Sequence, residues 1–283
     1  TCCAPPTSPV KVLETRRHRR RSMSDFILII PAGGVASRLR PFQYPKELLP
    51  VVFAKAEDET GNFRPVVAIE CTLAAMAAAG LRKGIIVTNS NKLEVQRYLG
   101  NGSDQGLSLI YAIQPAATGL PQAIDLVYDW TRDSNVCMAF PDTVFRPRMA
   151  IAEICEELRN TGADLVLGVF PTDHPEKLGP VSVRDDGTVV RVQDKPANSS
   201  VKNTWGIAAW RPSFSALLRE SVSAWLEAGR EGELPLGSIF ENAIDVGMKV
   251  RAVQFKDGRY DDVGTPDGIS AFIASNVGMT REP

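Results

Sequence analysis

The chain has 283 residues, 44% of them hydrophobic and 23% charged, with a formal net charge of −1. That length supports one large α/β domain or two small ones with ample core. The near-neutral charge argues against nucleic acid as an obligatory partner, and no apolar run is long enough for a membrane span.

The first 24 residues hold six Lys/Arg against one acid, including Arg16-Arg17-His18-Arg19-Arg20-Arg21. Such a run reads as a nucleic-acid arm or an Arg-rich targeting peptide. Met23, just before the first apolar strand, favours a native start there. Residues 1–22 are then expected to be a disordered or non-native extension, and residues 23–283 the domain. From Phe26 to Ile30 an apolar strand runs into Pro31-Ala32-Gly33-Gly34. Glycine lets backbone approach a ligand closely, and successive N–H groups in such a turn form an anion-binding nest. Arg38, and Lys46 within Pro45-Lys46-Glu47-Leu48-Leu49-Pro50, add positive charge suited to phosphate oxygens. The segment therefore reads as a nucleoside-triphosphate site. It is neither G-x-x-x-x-G-K-[ST] nor G-x-G-x-x-G, and the glycines alone also fit an ordinary strand-to-helix turn.

Val66 to Ala79 makes an apolar helix stopped by Gly80. Ile85 to Thr88 and Leu107 to Tyr111 read as strands, and Pro121 to Trp130 as a helix with proline in its first turn. Val136 to Phe140 and Asp164 to Phe170 are further strands. Val181 to Arg184 and Thr188 to Val192 form a hairpin around Asp185-Asp186-Gly187. Arg211 to Ala228 is an amphipathic helix stopped by Gly229, followed by a strand over Val250 to Phe255 and a closing helix over Pro266 to Val277. This alternation predicts an α/β fold with a mostly parallel sheet, without internal repeats or an interdomain linker. Cys2, Cys3, Cys71, Cys137 and Cys155 show no C-x-x-C pair or metal spacing, which fits reduced thiols in a cytoplasmic protein. The Ala74 to Ala79 stretch is core or a subunit interface, so a homo-oligomer stays open.

Asp142 follows the Val136–Phe140 strand at the sheet's carboxyl edge, where open α/β folds bind ligands; a lone aspartate there is also an ordinary cap or turn residue. Gly264-Thr265-Pro266 starts a helix with Thr265 as its cap. Gln114 carries an amide that can both donate and accept.

Taken in order, these segments resemble the sugar-1-phosphate nucleotidylyltransferases, the glucose-1-phosphate thymidylyltransferase-like group in particular. Gly33 to Leu39 and Pro45 to Pro50 are similar to the family's G-G-x-G-T-R-L…P-K-x-L-L-P, with Ala36 in place of glycine and Ser37 in place of threonine. The resemblance implies a single Rossmann-like, GT-A-like nucleotidyltransferase domain with a small β-hairpin sugar-binding subregion. It implies that Ala32, Gly33 and Gly34 meet the nucleotide and that Arg38 and Lys46 hold the triphosphate. Gln114 to Ala123 resembles the base-reading loop, with Gln114 pairing to thymine or uracil and Gly119 shaping the loop. Pro141-Asp142 resembles the metal motif with proline at the glycine position, and Tyr260 to Pro266 resembles W-x-D-x-G-T-P. On that register Asp142 and Asp262 are the Mg²⁺ ligands and Tyr260 packs against the sugar. Asp194-Lys195-Pro196 resembles E-K-P, where Lys195 holds the sugar phosphate and Asp194 touches sugar hydroxyls. Gly179 and Gly206 match glycines beside the sugar.

The implied reaction is in-line attack of a sugar-1-phosphate oxygen on the α-phosphorus of dTTP or UTP, with glucose as the default sugar, releasing pyrophosphate. That oxygen is already charged, so no general base is needed, which suits a chain whose only histidines are His18 and His174. A GT-A glycosyltransferase and a non-catalytic nucleotide-sensing relative remain as alternatives. The Asp-x-Asp motif of the former is absent.

Overall fold

A computed structural model describes residues 23, 25–34, 44–55, 62–230 and 232–276. In chain order the elements begin β1 (Phe26–Pro31), β2 (Pro50–Lys55), β3 (Phe63–Val67), α1 (Ala68–Ala78), β4 (Lys83–Asn89), α2 (Leu93–Leu99) and β5 (Ser108–Gln114). Next come α3 (Leu120–Asp125), α4 (Tyr128–Thr131), β6 (Asn135–Ala139), β7 (Thr143–Arg146), α5 (Ala150–Thr161) and β8 (Leu165–Pro171). The remainder are β9 (Val181–Val183), β10 (Val189–Val192), β11 (Asn203–Trp210), α6 (Pro212–Glu227), α7 (Leu236–Asp245), β12 (Val250–Gln254), β13 (Arg259–Asp262) and α8 (Pro266–Asn276).

Seven strands form the central sheet in the order β12-β8-β11-β6-β1-β4-β5. Only β11 runs against its neighbours, pairing antiparallel with both β6 and β8. The α/β fold with a mostly parallel sheet is therefore as expected. Side chains alternate across β1: Phe26, Leu28 and Ile30 enter the core under α1 and α5, while Ile29 enters the one under α3, α6 and α7. Helices on both faces explain why these strands read as unbroken apolar runs. All strands of the central sheet except β11 point the same way, so the segments after β1, β4, β5 and β6 gather at one edge.

Smaller antiparallel pairs decorate that edge: β2 with β3, β7 with β13, and the expected hairpin β9 with β10. The hairpin tip is tied down where Gly187 O accepts from the Ala252 N–H (2.8 Å) and Asp186 O from Arg251 Nη2 (2.7 Å).

Several boundaries differ from the sequence reading. The helix expected from Val66 starts at Ala68, because Phe63–Val67 is taken up in pairing with β2. The helix expected over Pro121–Trp130 is two short ones, broken where Val127 leaves helical geometry (φ −107°, ψ 14°). Helices α2, α5 and α7 and strands β2, β3, β7, β11 and β13 were not anticipated. β11 is buried along most of its length and holds small residues and tryptophans, so it shows no two-residue alternation. Among the described residues, no helix is long and apolar enough to cross a membrane. The expectations for residues 1–22 lie outside the described residues.

Candidate functional site

The turn after β1 is held from behind. Ala32 donates its N–H to Val87 O (2.7 Å), extending the β1–β4 pairing by one residue. Lys92 Nζ, just before α2, donates to Ala32 O (2.9 Å), and Asn89 Nδ2, at the end of β4, donates to Gly33 O (2.7 Å). A side chain on Gly33 would press on Gln114 Oε1 at 3.0 Å, whereas among the described residues nothing lies within 4 Å of a Cβ on Gly34. Gln114 is buried at the end of β5, its Nε2 donating to Thr118 Oγ1 (3.0 Å). Gly119 then opens α3 at φ +120°, a conformation that favours glycine. Ala32, Gly33, Gly34, Gln114 and Gly119 thus share one region of the carboxyl edge. Arg38 lies outside the described residues.

The second cluster is built from four segments. Lys46 and Glu47 open a single 3-10 turn, Lys46–Leu48, and diverge: Lys46 pairs with Asp142, while Glu47 turns inward to Lys92 Nζ (2.7 Å). Asp142 is buried between β6 and β7, and its carbonyl accepts the Val263 N–H (2.9 Å). Pairing of β7 with β13 sets Asp262 opposite Thr143. Asp262 Oδ1 accepts the Gly264 N–H at 2.8 Å. A Cβ on Gly264 would collide with Asp142 Oδ2 and stand 3.0 Å from both Asp262 Oδ1 and Lys46 Nζ. Two carboxylates and an ammonium therefore converge on one backbone carbon. Asp261 points the other way along β13 and pairs with Arg259 at 2.7 Å.

No group of three or more His, Cys, Asp or Glu side chains is placed to hold a metal ion among the described residues. Two convergent carboxylates are nonetheless the donor set Mg²⁺ uses when phosphate and water oxygens complete its shell. The residues fit that ion.

Tyr260 lies on the Asp262 side of β13 with its ring turned toward the core. The ring meets Phe170 at 5.8 Å between centroids, and a Cβ on Gly206 would collide with it. Burial, together with the charges of Asp262 and Asp142, pushes its hydroxyl above the ordinary tyrosine range. Gly206 in this structure makes room for that ring. Gly179 likewise makes room for Trp205, whose indole would clash with any Cβ there. Leu178 O accepts the Lys195 N–H (2.8 Å), and Lys195 sits at φ +43°, a left-handed conformation unusual for a residue with a side chain. Lys195 and Asp194 are exposed, and Asp194 lines a cavity of about 450 Å³ with Glu241 and Asp245. Among the described residues, no ion pair or hydrogen bond joins Lys195 or Asp194 to the Lys46–Asp142–Asp262 cluster.

Three polar residues near the site escaped the sequence reading. Lys92 and Asn89 sit in Asn89-Ser90-Asn91-Lys92, which looks like an ordinary polar turn. Thr72 lies inside an apolar helix, with its hydroxyl within reach of Phe140 O (2.9 Å) and Thr143 O (3.2 Å) on either side of Asp142. Glu47 did carry a signal, a charge wedged between Lys46 and Leu48-Leu49. Burial raises its carboxyl pKa, and the Lys92 ammonium pulls it part of the way back.

The sequence profile of the nucleotidyl transferase family matches residues 27–276. A glucose-1-phosphate thymidylyltransferase of Neisseria gonorrhoeae is 30% identical over 244 residues, covering 85% of this chain and 79% of its own. The low-salt glycan biosynthesis nucleotidyltransferase Agl11 of Haloferax volcanii is 23% identical, covering 85% of this chain and 63% of its own. A second thymidylyltransferase, from Neisseria meningitidis, is 29% identical, covering 63% of this chain and 58% of its own. The chain thus spans about three-fifths of the length of these last two relatives. Among solved structures, a Bacillus anthracis protein in complex with sucrose superposes with a TM-score of 0.74 at 21% identity, covering 91% of this chain and 96% of that one. An Acinetobacter UDP-glucose pyrophosphorylase superposes at 0.70 and 17% identity, covering 90% and 94%. These structures share the fold.

Proposed function

The chain belongs to the nucleotidyl transferase family, among the sugar-1-phosphate nucleotidyltransferases, and from that premise we propose that it transfers a nucleoside monophosphate from dTTP or UTP to a sugar-1-phosphate. Glucose-1-phosphate is the first sugar to test, and the products are an NDP-sugar and pyrophosphate. The observation that carries the reading is the convergence of Lys46, Asp142 and Asp262 around Gly264, joined to the backbone turn at Ala32 to Gly34 through Glu47 and Lys92.

On this reading the Gly33 and Gly34 backbone and the Lys46 ammonium receive the triphosphate, with Arg38 assigned beside them. Gln114 meets the edge of the base. Asp142 and Asp262 would hold Mg²⁺, which when bound would supply positive charge to the phosphate oxygens. Lys195 orients the sugar phosphate, whose own charged oxygen is the nucleophile, so no side chain has to remove a proton. The protein's contribution is alignment and charge neutralisation. The constrained backbone at Lys195 supports a functional role, since such strain persists where surroundings over-determine it.

The test is pyrophosphate release by the full chain over a grid of dTTP, UTP, CTP, GTP and ATP against several sugar-1-phosphates, with and without Mg²⁺. Release that needs Mg²⁺, one nucleotide and one sugar phosphate together is expected. Silence from folded protein that still binds a nucleotide overturns the catalytic reading.

A further inference from the structure

We infer that Lys92 and Asn89, with Glu47 as the buried counter-charge of Lys92, are positioning residues that aim the Gly33 and Gly34 N–H groups at the nucleotide phosphates. The inference rests on the transferase reading above and extends it to three side chains that act through the backbone of the turn.

The argument starts from the peptide plane. In a trans peptide the C=O and the following N–H point to opposite sides. Ala32 O is held by Lys92 Nζ at 2.9 Å, so the Gly33 N–H faces away from Lys92. Gly33 O is held by Asn89 Nδ2 at 2.7 Å, so the Gly34 N–H faces away from Asn89. The Asn89 amide is itself oriented, because its Oδ1 accepts the Asn91 N–H at 2.9 Å. Among the described residues neither glycine N–H has a hydrogen-bond partner. Two successive planes are thereby fixed with their donors on the side away from Lys92 and Asn89.

The Glu47–Lys92 pair makes little sense as a stability device. Glu47 is 1% exposed and Lys92 6%, and Glu47 Oε2 has no hydrogen-bond partner among the described residues. An apolar pair of similar volume would fill the space at no desolvation cost. An apolar residue at 92, however, could not donate to Ala32 O. Nor could one at 47 anchor the turn from which Lys46 reaches Asp142. The pair joins the two phosphate-handling segments, the turn after β1 and the Lys46 turn, through one buried ammonium.

The experiment is steady-state pyrophosphate release by wild type, Lys92→Met, Asn89→Ala and the double variant Glu47→Leu/Lys92→Met, varying dTTP or UTP and sugar-1-phosphate separately, with melting curves. The expected result is a rise of about tenfold or more in nucleotide KM for all three variants, with sugar-phosphate KM unchanged. In the double variant Tm recovers, since no unpaired charge is left buried, while nucleotide KM stays raised. The inference is overturned if folded Lys92→Met or Asn89→Ala keeps the wild-type nucleotide KM, or if both KM values rise together. It is equally overturned if the double variant restores nucleotide KM along with Tm. A wild type that releases no pyrophosphate from any nucleotide overturns the transferase reading itself. An active wild type with unaffected variants overturns only this inference.

Discussion

A methyl group added at Gly264 would land on Asp142 Oδ2 and crowd Asp262 and Lys46, so this glycine keeps the space in which three charges meet. Gly264→Ala should lower turnover by about 100-fold, the cost of displacing reacting groups by roughly an ångström. Its melting temperature should move little, because the strain can relax toward the open edge. A comparison of kcat with a thermal melt checks both halves. Lys195 poses the opposite case. Its φ of +43° costs a side-chain-bearing residue about 1–2 kcal/mol, and glycine returns part of that through its larger unfolded entropy. Lys195→Gly is therefore expected to stabilise the fold by about 0.5–1 kcal/mol in denaturant titration while turnover collapses. Lys195→Ala should lose turnover without the gain. Equal stability of the two variants would show that the left-handed backbone is not strained.

Elements, more than residues, carry the precision of the carboxylate pair. Asp142 and Asp262 are far apart in sequence and meet because β7 and β13 pair antiparallel, with Val263 donating back to Asp142 O. Helix α1 adds a lateral hold, since the buried Thr72 hydroxyl reaches the carbonyls of Phe140 and Thr143. Thr72→Val keeps the shape and removes that donor, leaving buried carbonyls short of a partner. A loss of about 1–3 kcal/mol in denaturant unfolding is expected, with a lower kcat as Asp142 loosens. Unchanged kcat in the folded variant would mean that the β7–β13 pairing alone fixes Asp142. The same pairing explains what was legible at this level. Strands in the sheet announce themselves as apolar runs, and Gly80 and Gly229 mark helix ends. β7 and β13 are four residues each, too short for any periodicity to show, and exist because they find each other.

Across the whole molecule, six co-directional strands and β11 between them bring the chain's scattered motifs to one edge. Lys46 pairs with Asp142 there, and two apolar cores, one on each face, hold the fold. Chelation should accordingly abolish pyrophosphate release while leaving the melting temperature of the nucleotide-free protein unchanged. Mg²⁺ with dTTP or UTP should raise that temperature by mass action, by about 2.7 kcal/mol in stability at a hundredfold excess over Kd. A melt that falls on adding chelator alone would instead give the metal a structural role. What the sequence determined by itself was local: the alternation of apolar strands and helices, the glycine turn after the first strand, and the order of short motifs along the chain. These follow from side-chain polarity and backbone freedom, which neighbours in sequence already reveal. Tertiary structure alone decided which charges meet. Lys46 found Asp142 instead of standing free, Asp261 turned away from Asp262, and Tyr260 went into the core against Gly206. Glu47 and Lys92, 45 positions apart, became one buried pair. Such pairings depend on distances across folded space, and the low dielectric that strengthens their attraction, at a cost in desolvation, exists only after the core has closed around them.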